Sequence, residues 1–143
     1  MNLLDYIHKS PHRNQLEKYL RFFLPSLKGP ILDVGSKNRR YDYLLIEKPV
    51  AIDMVENKAK EVKPGDILNL NFSDKSFESV ISLEVLEYVL NTDKAFSEVS
   101  RVLNDNGTLA FSIPFMYRNH QDKIRYTKEG LIEILSKYFT RIE

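Results

Sequence analysis

With 143 residues, of which 43% are hydrophobic and 29% charged, the chain can bury one sizeable core and is composed like an ordinary soluble domain. Lys and Arg number 21 against 20 Asp and Glu, a balance that gives no bulk electrostatic reason to expect nucleic acid or an anionic membrane as partner. The absence of cysteine excludes disulfides, thiolate metal sites and Cys nucleophiles, and it suits a reducing, cytoplasmic setting.

In chain order, "MNLLDYIHKSPHR" lacks a basic segment followed by an apolar one, and "FFLPSL" is too short to span a bilayer, so neither a signal peptide nor a membrane partner is expected. Ser10-Pro11 reads as a helix start, and Leu16, Tyr19, Leu20 and Phe23 then recur at helical spacing as its inward face. Lys28-Gly29-Pro30 leads into a first strand, Ile31 to Val34, closed by Gly35. "PVAID" at 49 to 53 is a second strand, "EVKPGDI" at 61 to 67 holds a weaker third, and "FESVISL" at 77 to 83 is the next buried one. Thr92 or Asp93 is the expected cap of a helix whose apolar face is Phe96, Val99, Val102 and Leu103. Asn104 to Gly107 then reads as a turn before a fifth strand, "TLAFSI", stopped by Pro114. A last helix spans 126 to 139, with Thr127 as its cap and Leu131, Ile134, Leu135 and Tyr138 inward.

Short strands alternating with helices predict an α/β fold with a doubly wound parallel sheet, whose ligands bind beyond the carboxyl ends of the strands. Polar residues collect at those ends, near Asp33 to Gly35, Asp53, Asp66-Ile67, Leu83-Glu84 and Pro114.

The ordered series "ILDVGS", "AID", "GDILNLNFSDKSFESVISLEVLEYV", "FSEVSRVLNDNGTLAFSIPF" and "HQDKIRYTKEGLIEIL" resembles the class I S-adenosylmethionine-dependent methyltransferases, in particular the small-molecule, methyltransferase type 11-like group. The resemblance covers roughly residues 30 to 139. It implies a Rossmann-like sheet of strand order 3-2-1-4-5 at 30 to 143, with residues 1 to 29 as a helical cap segment and S-adenosylmethionine as cofactor. The family closes with an antiparallel strand pair, for which "FTRIE" has room only for a beginning, so the expectation is either a shortened member, with that pair largely missing, or a sequence that is incomplete at this end. An edge left open on "TLAFSI" would recruit a partner, and a homodimer across it is the expectation.

Such a cofactor needs a carboxylate for the ribose diol, apolar cover for adenine and backbone groups for its amino acid end. Asp53 closes the second strand where the diol carboxylate belongs, a role shared with dinucleotide folds. Met54 is placed either against adenine or in ordinary core packing. Asp66 with Ile67 matches the family pair that accepts from the adenine amino group and covers the ring, or else forms a simple turn. Gly35 is kept and Ser36 follows, but the family's second and third glycines correspond to Lys37 and Arg39, which disfavours a dinucleotide pyrophosphate. The cofactor's carboxylate would be met by loop N–H groups or by Lys37, Arg39 or Arg40. Asp33 orients the loop or faces the cofactor's amino group, and Leu83 and Glu84 close the fourth strand beside it.

For the transfer itself, the candidates are Glu84, Glu87 and Tyr88, then Tyr117, His120, Asp122 and Arg125. His120 sits in a polar loop beyond a strand end with a side chain suited to proton transfer near neutrality, and stands against the reading of an exposed loop histidine. Tyr88 occupies a place where family members often have histidine, and is read as acid–base group or as packing. Arg125 binds an anionic group or pairs with Asp122, and His8 and His12 suggest surface positions. No metal-ligand spacing and no nucleophile elbow occurs. The resemblance thus implies methyl transfer to a small-molecule or, from "H…D…RYT…GL", a glycan-related acceptor. Against it stand a binding or scaffold module without catalysis and, last, a phosphate-binding domain built on the basic loop.

Overall fold

The computed structural model describes residues 11–114 and 121–143. Five strands form one parallel sheet of order β3-β2-β1-β4-β5: β1 is Ile31–Val34, β2 Val50–Asp53, β3 Val62–Pro64, β4 Phe77–Leu83 and β5 Leu103–Ser112. Among the described residues three helices accompany it, α1 Pro11–Phe23, α2 Thr92–Val102 and α3 Lys128–Leu135. The Rossmann-like, doubly wound arrangement read from the sequence is the observed one.

Alternation along the strands sends successive side chains to opposite faces, which divides the core in two. Leu32, Val34, Ile52 and Val80 meet Phe96, Val99 and Val102 of α2 and Leu135 of α3. Ile31, Ile81 and Ala110 meet Leu20 of α1, followed by Leu24, Leu27 and Leu44. Phe96 anchors the first layer, its ring edge-on to Phe111 and Phe139 at centroid distances of 5.8 and 6.4 Å.

Three local expectations are corrected. In α1 the inward residues are Glu17 and Leu20, with Leu16 partly covered, while Tyr19 is 65% and Phe23 39% exposed. Glu17 tolerates burial because its Oε1 accepts from Arg21 at 2.8 Å and from the Tyr43 hydroxyl at 2.7 Å. Burial and that carboxylate together push the Tyr43 phenol up to about 12. In α2 the cap is Asn91, whose Oδ1 accepts from Lys94 N–H at 3.1 Å; the Thr92 hydroxyl instead donates to Val89 O at 3.2 Å. Finally, Asn104 to Gly107 do not precede β5 but bulge within it: Phe77 pairs with Leu103 and Ser79 with Thr108, so one β4 residue faces four. The Asn104 amide donates to Glu78 at 2.5 Å across that bulge. Thr127 does cap α3, accepting from Gly130 N–H at 3.1 Å.

The connection from β3 to β4 has no helix, and an ion pair between the buried Glu98 and the partly exposed Arg101 holds it. Glu98 of α2 accepts from Leu70 N–H at 2.9 Å and from both sides of the Arg101 guanidinium at 2.9 and 3.2 Å. Arg101 in turn donates to Leu70 O and Phe72 O, each at 2.8 Å, and to Asp74 at 2.7 Å. The Arg101 hydrogen bonds outweigh desolvation and hold the Glu98 carboxyl down to about 2.

Candidate active site

β1 delivers Gly35 to the carboxyl edge of the sheet with φ 79°, a conformation glycine adopts without strain. A Cβ there would lie 2.2 Å from Val85 Cγ2, so the glycine also admits the β4 segment. The N–H groups of Gly35 and Ser36 both donate to Ile52 O, at 2.8 and 3.1 Å. Beyond them Lys37 (φ 49°) and Arg39 (φ 54°) are left-handed. These are the two positions that the resemblance matches to family glycines, and a left-handed conformation costs a non-glycine residue roughly 1–2 kcal/mol each.

Contacts around the loop offset that cost. Lys37 N–H donates to Asp53 Oδ2 at 3.0 Å, and the Asn57 amide donates to Lys37 O and Asn38 Oδ1, both at 3.2 Å. Arg39 reaches away from the site, donating to Asp42 at 2.6 Å, Pro49 O at 3.0 Å and Glu61 O at 3.4 Å. The expectation that Arg39 is available to a ligand is thereby corrected: its guanidinium ties the loop to β2 and β3, while Lys37 and Arg40 line the cavity. Opposite signs follow for two glycine substitutions. Lys37→Gly should leave stability unchanged or raise it by up to about 1 kcal/mol, whereas Arg39→Gly should lower it by about 2 kcal/mol through the lost guanidinium bonds. Urea titration of both variants decides the point; equal effects would sink it.

One cavity of about 940 Å³ opens at this edge, and Asp33, Gly35, Ser36, Lys37, Asp53, Met54, Asp66, Ile67, Leu83, Glu84 and Tyr88 all line it. Asp53 ends β2 and accepts from Lys37 N–H and, at 3.1 Å, from Val55 N–H. Met54 is 71% exposed, which removes the core-packing reading of it. Asp66 accepts from Leu68 N–H at 2.9 Å, so one of its oxygens does close a turn, and Ile67 beside it is buried.

Asp33 is half-buried behind the loop, and desolvation pushes its carboxyl up to about 6 despite the Ser36 hydroxyl and Arg39 nearby. Between pH 3.8 and 6 the folded chain therefore binds this proton more tightly than the unfolded chain does, so its contribution to stability falls as pH rises through that window. Asp33→Asn should raise stability at pH 7 by about 1–2 kcal/mol, with the gain vanishing near pH 4. Denaturant melts of both proteins at the two pH values test this, and a gain over wild type no larger at pH 7 than at pH 4 would contradict it.

The other wall of the cavity is built from β4, its contacts to β5, and α1. Glu84, at the end of β4, is left-handed with φ 59°. Its N–H donates to Ser112 O at 3.0 Å, its Oε1 accepts from the Ser112 hydroxyl at 2.9 Å, and its Oε2 accepts from His12 Nε2 at 2.9 Å. His12 also lines the cavity, which corrects its reading as a surface residue. A partner 72 positions away leaves no local sequence signal. Tyr88 is 40% exposed at the cavity, and burial followed by the Glu87, Asp122 and Glu84 charges raises its phenol pKa. The raised phenol suits a hydrogen-bond donor better than a base, and the exposure of the side chain to the cavity is what speaks against packing alone. Glu87 is fully buried, and its carbonyl fastens the returning chain by accepting from Lys123 and Ile124 N–H at 2.8 and 3.1 Å. Arg125 pairs with Asp122 at 3.4 Å. His8, Tyr117 and His120, the last the expected base, lie outside the described residues.

Among the described residues no helix is long and apolar enough to cross a membrane, and no three His, Asp or Glu side chains group as metal ligands.

Residues 33–111, more than half of the chain, match the model of a family described as methyltransferase domain. No curated protein matches. Among solved structures, the PH0226 protein from Pyrococcus horikoshii is 25% identical with a TM-score of 0.58, over 73% of this chain and 59% of its own. The [4+2]-cyclase SpnF is 17% identical with a TM-score of 0.70, over 92% of this chain and 58% of its own. Phosphoethanolamine N-methyltransferase 2 from Haemonchus contortus, solved with S-adenosyl-L-methionine, is 22% identical with a TM-score of 0.67, over 87% of this chain and 36% of its own. The chain thus spans less than two thirds of each of these proteins, and the last two likenesses are likenesses of fold.

Proposed function

The chain belongs to the methyltransferase domain family, and from that membership we propose that it binds S-adenosylmethionine and transfers a methyl group to a small-molecule or glycan-related acceptor. The observation that carries this reading is the convergence of Asp53, Asp33 and the left-handed loop on one cavity at the carboxyl edge of the sheet.

The residues fit the cofactor. A carboxylate offers about four acceptor positions, and backbone N–H groups occupy two of those on Asp53, which leaves capacity for a ribose diol. Met54 and Ile67 supply apolar walls on the same side, where adenine would lie. Asp33 supplies a negative group for the ammonium of the amino acid end, and Lys37 or Arg40 a positive one for its carboxylate. When bound, the cofactor supplies a methyl group on a sulfonium, an electrophile that needs alignment more than activation. The protein's part is to hold that end at the β1 loop, keep Tyr88 as a donor at the opening and present an acceptor from the β4 side.

Calorimetric titration with S-adenosylmethionine and S-adenosylhomocysteine tests the reading, with micromolar affinity expected, worth on the order of 7–8 kcal/mol. If neither ligand binds at millimolar concentration, the reading falls and a binding or scaffold module takes its place. The fold by itself does not choose between them.

A further inference from the structure

The even charge balance of the whole chain hides a local excess at α1. From Pro11 to Lys28, Arg13, Lys18, Arg21 and Lys28 stand against a single acid, Glu17, and that acid is buried and held by Arg21 and Tyr43. Lys18 and Lys28 are exposed, and neither enters an ion pair among the described residues.

The same helix carries an apolar face that the core does not use. Leu20 and Glu17 fix its inward side, and Leu24 and Leu27 continue that side past the helix end. Tyr19, Phe22 and Phe23, at i, i+3 and i+4 spacing, are thereby turned outward together. Phe22 is 90% exposed, more than any other large hydrophobic side chain among the described residues. Lys18 precedes it by one turn and so flanks the aromatic side chains. A single exposed aromatic is ordinary, but several on the water-facing side of one helix depart from the usual polar outer face.

Charge says what covers this face. A dimer across a two-fold axis would press two basic patches together, whereas a surface of negative headgroups attracts them. We infer that the outward face of α1 is an interfacial anchor: Phe22, with Tyr19 and Phe23 beside it, enters the boundary between headgroups and acyl chains of an anionic phospholipid bilayer, and Lys18 and Lys28 hold to its phosphates. The helix lies along the surface without crossing it, in keeping with the lack of a helix long and apolar enough to span a membrane among the described residues. Since α1 also lends His12 and Leu16 to the wall of the cavity, a chain docked in this way holds its cavity beside the bilayer.

Co-sedimentation of the full chain with vesicles tests the inference. Phosphatidylcholine vesicles with about a third phosphatidylglycerol should hold the chain at roughly millimolar lipid, and phosphatidylcholine alone should hold it about tenfold more weakly. Salt at about 0.5 M should release it. Lys18→Glu with Lys28→Glu should abolish the preference for anionic lipid, and Phe22→Ser with Tyr19→Ser should weaken binding about tenfold on either composition. All of these side chains are exposed, so melting curves of the variants should match wild type. The chain has no tryptophan, so Phe22→Trp places a single indole, whose emission should shift to the blue on anionic vesicles as it leaves water. Equal affinity for both compositions, binding that survives the aromatic substitutions, or an indole emission that vesicles leave unchanged overturns the inference. A chain that ignores vesicles overturns it as well, and if that chain sediments as a dimer until Phe22→Ser is introduced, a second copy is what covers this face.

Discussion

Asp53→Ala should cost the chain its affinity for S-adenosylmethionine and S-adenosylhomocysteine by a factor of about 100 or more. Two hydrogen bonds from ribose hydroxyls to an ionised carboxylate are worth about 1.5–3 kcal/mol each, so losing both moves a micromolar site beyond the reach of ordinary titration. A second loss adds to this, since Asp53 also holds Lys37 N–H at 3.0 Å and Val55 N–H at 3.1 Å, and the loop slackens without it. Asp53→Asn separates the two contributions. It keeps one acceptor oxygen for the loop and offers the diol a poorer partner, and should weaken binding by about tenfold. Calorimetry on both variants, alongside melting curves showing each is folded, provides the check. Unchanged affinity in Asp53→Ala would mean that the cavity does not hold a ribose there.

Glu98→Gln should cost more in stability than the substitutions proposed in the loop. The carboxylate is 7% exposed and ties Leu70 N–H to the Arg101 guanidinium. Removing its charge weakens its bonds to Arg101, whose partly exposed guanidinium keeps Asp74, Leu70 O and Phe72 O, so the cost is that of lost charge-assisted hydrogen bonds, about 2–3 kcal/mol. A fall in melting temperature of about 10 °C is expected for a chain of this size. The dependence on acid follows from the same bond. Glu98 has a folded pKa of about 2 against an ordinary value of 4.5, so its contribution is fully present above pH 4.5 and is lost progressively as pH falls toward 2. The Gln variant should therefore lose less stability than wild type over that range. Equal acid sensitivity in the two proteins would show that Glu98 is not the group responsible. Since the connection it fastens carries Asp66 and Ile67 to the cavity, a loss of cofactor affinity should accompany the loss of stability.

Both substitutions also mark how far a linear reading reaches. The strands were legible because they are short runs of Val, Ile and Leu closed by an acid or glycine, and a buried parallel strand needs little else. Asp53 was legible because it closes such a run, and Asp66 because it follows the Pro64-Gly65 break after the weaker third strand, so the chain itself places both at the sheet edge. Glu98 was not: in α2 it reads as one charged residue among several, and only the facing Leu70 N–H and Arg101 turn it into a buried clamp. The cap of α2 was missed by one or two residues for a related reason. Asn91, Thr92 and Asp93 all suit that role, and the conformation that leaves the Asn91 side chain over Lys94 N–H made the choice.

The sequence by itself determined the α/β class, the strand order through its family resemblance, and the polar residues that the strands carry to one edge. Those follow from alternation, breakers and spacing, which act over a few neighbouring residues. Only the tertiary structure decided that Lys37 and Arg39 keep a glycine-like path, because Asp53, Asn57 and the Arg39 contacts to Pro49 and Glu61 offset the strain. It alone brought His12 to Glu84, turned Arg39 from ligand candidate to tether and placed Met54 outside the core. In each case the deciding free energy comes from groups distant in the chain, which a residue's own identity and neighbours do not encode.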